Sequence, residues 1–285
     1  MTSPMSDLTR ARDQAGDVVA VERLDGGLVE IGVRLPHLAA TARPGEFAQL
    51  RCADGIEPLL RRPFSVAWTD GEVCGFVLEA VGVGTRRLVA LRPGDALRAL
   101  GPLGNGFAVD PAPARALLVS GGLGCAPFPL LVAELRRRGC PDITVLNGAA
   151  TASRLYPPDR FRRGAAGVTV VEATDDGSRG HRGLVTDLVA SRCDAATAVY
   201  GCGPNPMLAA LAATLGALQP PPLRAQVSLE APMGCGFGTC LGCALPVAAP
   251  GGGSAWALCC RQGPVMEASE VAWPGLLALP PAHVA

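Results

Sequence analysis

The chain has 285 residues, 49% of them apolar, and its 25 basic and 25 acidic residues cancel. That is enough for two or three domains with buried cores, and it excludes both an intrinsically disordered chain and a general nucleic-acid footprint. Every basic residue is arginine, which with the Ala, Gly and Pro load points to a GC-rich coding sequence and not to a binding surface. Eleven cysteines at irregular spacing indicate free thiols in a reducing compartment. The start, Met1-Thr-Ser-Pro-Met-Ser-Asp7, lacks the basic and apolar regions of a secretory signal, and no apolar run reaches the ~18–20 residues of a membrane span. A cytoplasmic protein is expected.

Residues 1–14 are polar and expected to fray. From Asp17 to about Val109 the signals are short strands: residues 28–34, 45–51, 71–78 and 95–100. Pro44-Gly45, Asp70-Gly71 and Pro93-Gly94 separate them as turns. This spacing predicts a β barrel or sandwich. The pattern changes at Ala114. Apolar runs at 115–120, 143–146, 168–171 and 198–200 alternate with helical stretches at 128–138 and 206–215. Strands alternating with helices predict an α/β domain with a parallel sheet. Gln219-Pro-Pro-Pro222 reads as a linker, and Ala248-Ala-Pro-Gly-Gly-Gly-Ser254 as a flexible turn.

Beyond the linker lie Cys235, Cys240 and Cys243 in a glycine-rich run, with Cys259 and Cys260 following. The spacing C-x4-C-x2-C…C is that of a plant-type [2Fe–2S] site. Structural zinc sites pair knuckles with gaps of 2–4 and fit it poorly. Glycines let such a loop take positive φ and point N–H groups at the negative cluster. Cys259 and Cys260 are adjacent, and neighbours cannot easily both face one cluster, so the fourth ligand is open on spacing alone.

Two further loops follow strands at the carboxyl edge of the predicted sheet, the usual ligand side. Gly121, Gly122 and Gly124, in Gly121-Gly-x-Gly-x-Ala-Pro127, can seat a pyrophosphate on backbone N–H groups, or form only a tight turn. Cys202 and Gly203, in Tyr200-Gly-Cys-Gly-Pro204, alone read as a Gly/Pro turn with an inert thiol. In the barrel region Arg62 suits a phosphate, while Phe64 and Ser65 suit a flat heterocycle. Gly82-Val-Gly-Thr85 offers N–H groups and a hydroxyl to phosphates. Arg136-Arg-Arg138 reads as a solvated helix end. None of His37, His181 and His283 forms a nucleophile–base constellation.

In order, these motifs resemble the ferredoxin–NADP reductase superfamily. Within it, the chain is most similar to the iron–sulfur flavoprotein subunits of two-subunit, NAD+-type dihydroorotate dehydrogenases. The resemblance rests on Leu59-Leu-Arg-Arg-Pro-Phe-Ser65, Gly82-Val-Gly-Thr85, Gly101-Pro-Leu-Gly-Asn-Gly106 and Thr174-Asp-Asp-Gly-Ser178. It rests also on Gly183-Leu-Val-Thr-Asp187, Tyr200-Gly-Cys-Gly-Pro204, Met233-Gly-Cys-Gly236 and Cys260-Arg-Gln-Gly-Pro-Val265, and runs from about residue 17 to 272. It implies an FAD-binding β barrel (15–110), an NAD-binding α/β domain (111–220) and a small [2Fe–2S] domain (221–272). It implies that FAD touches Arg62, Pro63, Phe64, Ser65, Val77, Leu78, Glu79, Gly84 and Thr85, partly through backbone. It implies Cys260, with Gly-Pro-Val two residues on, as the fourth ligand.

The implied activity is electron transfer between an FMN-containing, dihydroorotate-oxidising partner and NAD+, through the cluster and FAD, in pyrimidine biosynthesis and within a hetero-oligomer. No general base on this chain is required. The alternative is the same NAD(P)H–flavin diaphorase module serving a hydrogenase- or transhydrogenase-type complex. Asp175 or Asp176 near the adenosine ribose would favour NAD, whereas Arg154 would argue for NADP.

Overall fold

The computed structural model describes residues 4–163, 165–249 and 251–280. Residues 1–3, Pro250 in the expected flexible turn, and His283 lie outside them. The N-terminal part contains β1 (Arg12–Arg23), β2 (Leu28–Arg34), α1 (Pro36–Thr41), β3 (Phe47–Leu50), β4 (Arg62–Ser65), β5 (Trp68–Asp70), β6 (Val73–Glu79), α2 (Val83–Val89) and β7 (Ala96–Leu103). Its strands make one curled antiparallel sheet, ordered β4-β3-β7-β1-β2-β6-β5. β1 serves both halves: Arg12 lies opposite Gly101 of β7, and Arg23 opposite Val29 of β2. A register shift between Val18 and Ala20 marks the bend. Inward-facing residues of this sheet, among them Val18, Ile31, Val33, Leu50, Phe64, Phe76 and Leu78, form one buried core. The expected barrel is thus present, open between its edge strands β4 and β5.

From Pro4 onward the expected fraying does not occur. Ser6 donates its N–H to the Arg261 carbonyl at 2.6 Å, and Arg10 meets buried Glu46 at 2.7 Å. Polar composition misleads here because the anchoring is done by backbone groups and one ion pair, not by apolar burial.

The remainder comprises β8 (Arg115–Gly121), α3 (Phe128–Arg137), β9 (Asp142–Ala149), α4 (Pro158–Phe161), β10 (Val168–Thr174), β11 (His181–Arg182), β12 (Thr197–Cys202), α5 (Asn205–Gly216) and β13 (Arg224–Ser228). It ends with β14 (Ala244–Ala248), β15 (Ser254–Leu258), α6 (Cys259–Gln262), β16 (Val265–Glu267) and α7 (Trp273–Leu277). The second sheet is ordered β11-β10-β9-β8-β12-β13-β16 and is parallel except for β16, which runs antiparallel to β13. Its central strands are apolar on both faces because both faces are covered. After the proline linker the chain adds β13 to this sheet, makes the cysteine loop and the β14–β15 hairpin, and returns β16 to the same sheet. The cysteine segment is therefore stitched to the parallel sheet at both ends.

One polar knot joins the barrel to the α/β part. Glu30, on β2, is 4% exposed. Its carboxylate accepts from Tyr156 Oη at 2.6 Å, Trp68 Nε1 at 3.0 Å, Arg163 Nη2 at 2.6 Å and Arg160 Nη1 at 3.3 Å. Arg160 also pairs with Glu22 of β1, and the Arg163 guanidinium lies 4.1 Å above the Trp68 ring. Gly75 makes room for that ring, since a Cβ there would sit 2.0 Å from Trp68 Cε2. The Tyr156 hydroxyl is pushed well above the usual phenol range by burial and by the Glu30 charge. Apolar residues of both parts close round the knot, among them Leu28 and Val77 from the barrel and Phe128, Leu131 and Phe161 from the α/β side.

Glu30→Ala leaves two arginines and two aromatic donors without their acceptor. It should cost about 3 kcal/mol, the range for removing one partner of a buried ion pair. The midpoint of urea unfolding, at unchanged slope, measures this.

Candidate cofactor-binding site

The flavin-type motif is split by strand alternation. On β4, Phe64 turns into the barrel core, so Pro63 and Ser65 face the other way. The Phe64 ring, expected beside FAD, lies among the residues of the barrel core with 9% of its surface exposed. Val77 and Leu78, at 1% and 0% exposure, have only backbone to offer. Arg62 lies across Gly84, where a Cβ would sit 3.3 Å from Arg62 Nε and 3.0 Å from Cys52 Sγ. This brings Arg62, Gly84 and Thr85 together at the start of α2. Thr85 does not present its hydroxyl as expected. Its Oγ1 accepts the N–H groups of Val81 and Gly82, both at 2.9 Å, and so shapes the turn. Glu79 is held by Arg154 Nη2 at 2.6 Å, which also accounts for Arg154: it ties the α/β part to the end of β6.

On the parallel sheet the two expected loops interlock. They follow adjacent strands, β8 and β12, at their carboxyl ends. A Cβ on Gly124 would lie 2.1 Å from the Cys202 carbonyl oxygen and 2.6 Å from Gly203 N; one on Gly203 would lie 3.1 Å from Gly121 N. Gly122 has φ +54, with open space where a Cβ would point. The turn thus presents backbone beside a sheet edge, as a pyrophosphate site requires. Burial pushes the Cys202 thiol up to about 12, so it is an unreactive neutral group. Asp175 is exposed at the end of β10, across β9 from the glycine turn. Asp176 accepts from Ser178 N and Oγ at 2.9 and 2.6 Å, which holds its carboxyl below the usual range.

The four cysteines lie in two pairs. Cys240 N–H points at Cys235 Sγ, 3.5 Å away. Cys243 and Cys260 have their sulfurs 3.2 Å apart, and Cys260 N–H also points at Cys243 Sγ. Cys259 turns away, with its Sγ 3.7 Å from the Leu229 carbonyl oxygen. Among the described residues no group of three or more His, Cys, Asp or Glu side chains gathers round a single metal position. Two cysteine pairs suit a centre with two irons, one pair to each iron. The hydrogen bond with Cys260 draws the Cys243 thiol down to about 6. At Cys235 burial opposes charge, but N–H groups from Cys240, Phe237 and Thr239 outweigh it and bring the thiol to about 7. Burial pushes Cys259 far the other way. The loop takes positive φ at Gly236, Gly238 and Leu241.

Sequence reasoning missed the supports of this loop. Gly238 rests on Arg261, whose Cγ would be 2.7 Å from a Cβ there, and Arg261 itself is held by Ser6. Asn105 donates its side-chain N–H to the Pro4 and Gln262 carbonyls and its backbone N–H to Gly263. Gln49 lies under Gly236. Its signal was a lone amide in the otherwise apolar strand Phe-Ala-Gln-Leu. Arg136 is not the solvated residue expected. Its guanidinium bonds the carbonyls of Cys140, Pro141 and Gly167. The His37 ring meets the Arg10 carbonyl at 2.7 Å, and the His181 ring lies 3.5 Å from the Asp187 carboxylate.

Comparison with known proteins agrees with this arrangement. The model for the iron–sulfur cluster binding domain of dihydroorotate dehydrogenase B matches residues 230–272. The dihydroorotate dehydrogenase B (NAD(+)) electron transfer subunit of Bacillus caldolyticus is 42% identical over 233 residues, 80% of this chain and 86% of its own. That of Desulforamulus reducens is 36% identical over 242 residues, 84% of this chain and 90% of its own. A chain from the structure of an NADH-dependent reduced ferredoxin-NADP oxidoreductase, studied for flavin-based electron bifurcation, superposes with TM-score 0.78 at 27% identity, over 92% of this chain and 91% of that one. A ferredoxin NADP+ reductase from Neisseria gonorrhoeae, with bound FAD and NADP, shares the fold at TM-score 0.60 and 18% identity, over 71% of this chain and 90% of its own.

Two outcomes are expected. Cys259→Ser should keep the iron and sulfide content of the wild type, whereas Cys260→Ser should lose most of it; chemical analysis of both decides the ligand. Gly124→Ala forces the glycine turn off the Cys202–Gly203 backbone. NADH should then bind on the order of tenfold more weakly with flavin content unchanged, since small misplacements are costly at such sites. Equilibrium titration with NADH reads this.

Proposed function

Because the chain belongs to the family of dihydroorotate dehydrogenase B (NAD(+)) electron transfer subunits, we propose that it carries electrons between a dihydroorotate-oxidising, FMN-containing catalytic subunit and NAD+ in pyrimidine biosynthesis. The observation that carries this reading is a loop of two cysteine pairs that packs on Phe47 and Gln49 of β3, the strand next to the Arg62–Ser65 motif. FAD and a [2Fe–2S] cluster, when bound, supply the exchange between two-electron hydride chemistry and one-electron transfer.

The chain's own residues then bind, orient and exclude water. Residues 15–110 would hold FAD, with Arg62 facing its phosphates and Pro63, Ser65, Gly84 and the backbone of Phe64, Val77 and Leu78 along it. Glu79 and Thr85 act through the loops they brace. Residues 111–220 would hold NAD, with Gly121, Gly122 and Gly124 under the pyrophosphate, Asp175 at the ribose, and Cys202 and Gly203 closing the nicotinamide end. Residues 221–272 would hold the cluster through Cys235, Cys240, Cys243 and Cys260. On this reading no side chain has to move a proton. Asp175 supports NAD over NADP because a carboxylate repels a 2′-phosphate.

All eleven cysteines are free, and no helix among the described residues is long and apolar enough to cross a membrane. Both facts support a cytoplasmic place for the complex.

A second reading has a specific observation behind it: the TM-score of 0.78 to a chain of the NADH-dependent reduced ferredoxin-NADP oxidoreductase. On that reading the same module serves another redox partner. The purified chain, kept anaerobic, should show flavin bands and broad iron–sulfur absorption, both bleached by NADH. Protein with flavin and no iron–sulfur absorption after reconstitution would overturn the cluster assignment. Co-purified complex should reduce NAD+ with dihydroorotate; NADH-bleachable complex without that activity would favour the second reading.

A further inference from the structure

Gln49 is fully buried, and among the described residues neither Oε1 nor Nε2 of its side chain has a hydrogen-bond partner. A buried amide left unpaired is costly and rare enough to call for a reason. Its place supplies one. On β3, Ala48 and Leu50 turn into the barrel core, while Phe47 joins the core that holds Cys243, Cys259 and Cys260. Gln49 shares the face of Phe47 and so looks out of the barrel toward the cysteine segment. Directly over it lies Gly236, which follows Cys235. With φ +84, it brings its backbone so close that a Cβ would stand 2.7 Å from both Cγ and Nε2 of Gln49. Across the ladder Gln49 opposes Pro63, inside the flavin-type motif. The amide therefore sits between the strand assigned to FAD and the first cysteine of the cluster loop.

We propose that Gln49 is a positioning residue of the iron–sulfur site, its amide N–H being the barrel's hydrogen-bond donor to the sulfur atoms held by the Cys235–Cys240 loop. The inference rests on the reading of the four cysteines as cluster ligands. Such a donor stabilises the more negative, reduced centre and raises its potential. It also fixes the loop's distance from the flavin strand, because donor and strand belong to one ladder. A glutamine is suited to this. It is long enough to reach the loop, it is neutral, and it adds no charge to a buried site.

The test uses the full chain, reconstituted anaerobically with FAD and cluster, as wild type, Gln49→Met and Gln49→Leu. Both replacements are apolar, stay close to the size of the side chain and remove the donor. The readout is an EPR-monitored redox titration, alongside iron, sulfide and FAD contents. The Met variant is expected to shift the one-electron equilibrium about tenfold toward the oxidised cluster, 59 mV in potential, with an altered EPR line shape. The Leu variant should shift in the same direction by a similar amount, because it too lacks the donor. If the Met variant folds poorly, the Leu variant carries the test. Loss of cluster with FAD retained in both variants also supports the proposal. Wild-type potential and line shape in a fully loaded variant overturn it. Wild-type protein lacking any iron–sulfur signal would instead overturn the cluster reading, so the two failures are distinguishable.

Discussion

The carboxylate of Glu30 is carried by the barrel and satisfied largely by the α/β part. That division of labour governs the rest of the structure. A flavin strand and a nucleotide turn are useful only at a fixed separation, and two domains joined by a loop have no such separation of their own. Apolar contact between them is permissive, since it accepts small slides and rotations at little cost. A buried carboxylate with four donors is not, because a small slip leaves one of them unpaired. The knot contributes less to net stability than its contacts suggest, as burying charge is expensive. Its effect is to select one docking of the two parts over near neighbours.

The third part is fixed differently. The cysteine segment makes no comparable knot. It is held because β13 and β16 flank it in the second sheet, and because its loop rests on two side chains from elsewhere in the chain: Gln49 of the barrel and Arg261 of α6. Arg261 is itself clamped by Ser6, so the N-terminal residues help to hold the last cysteine in place. Glycines at 236 and 238 are needed for contact as much as for dihedral freedom, since any side chain there would strike these supports. The loop's shape is thus set from below, by the protein, before any cofactor is considered.

Much of this was legible in the sequence, and what was not has a common cause. Strands at 28–34 and 115–120, and the helices near 128–138 and 206–215, follow from apolar periodicity and turn residues, which are local signals. The cysteine spacing is also local, and it distinguished the cluster loop from a zinc knuckle. Cys259 and Cys260 could not be separated by spacing, because what separates them is the direction each side chain takes at the start of α6. The roles of Glu30, Arg154 and Gln49 depend on partners 126, 75 and 187 positions away, counted to Tyr156, Glu79 and Gly236. No pattern along the chain encodes such pairs. The early strand β1 was missed for a related reason: its partners, β2 and β7, supply hydrogen bonds that do not depend on side-chain type.

The Arg62–Ser65 motif shows why a sequence motif need not be a list of ligand contacts. Four consecutive residues on a strand must send alternate side chains to opposite faces. A flat ring on one face can then meet at most alternate side chains, together with the backbone between them, while Arg62, at the start of the strand, lies instead across Gly84. Phe64 packs in the barrel core with Leu50, Phe76 and Leu78. Pro63, on the other face, has no N–H to donate, and it lies opposite Gln49, whose side-chain amide has no hydrogen-bond partner among the described residues. The motif therefore joins two requirements: an inward aromatic that packs in the barrel core, and outward residues left for whatever lies between barrel and cluster loop. Each is read from the same four letters, and only the strand's alternation tells them apart.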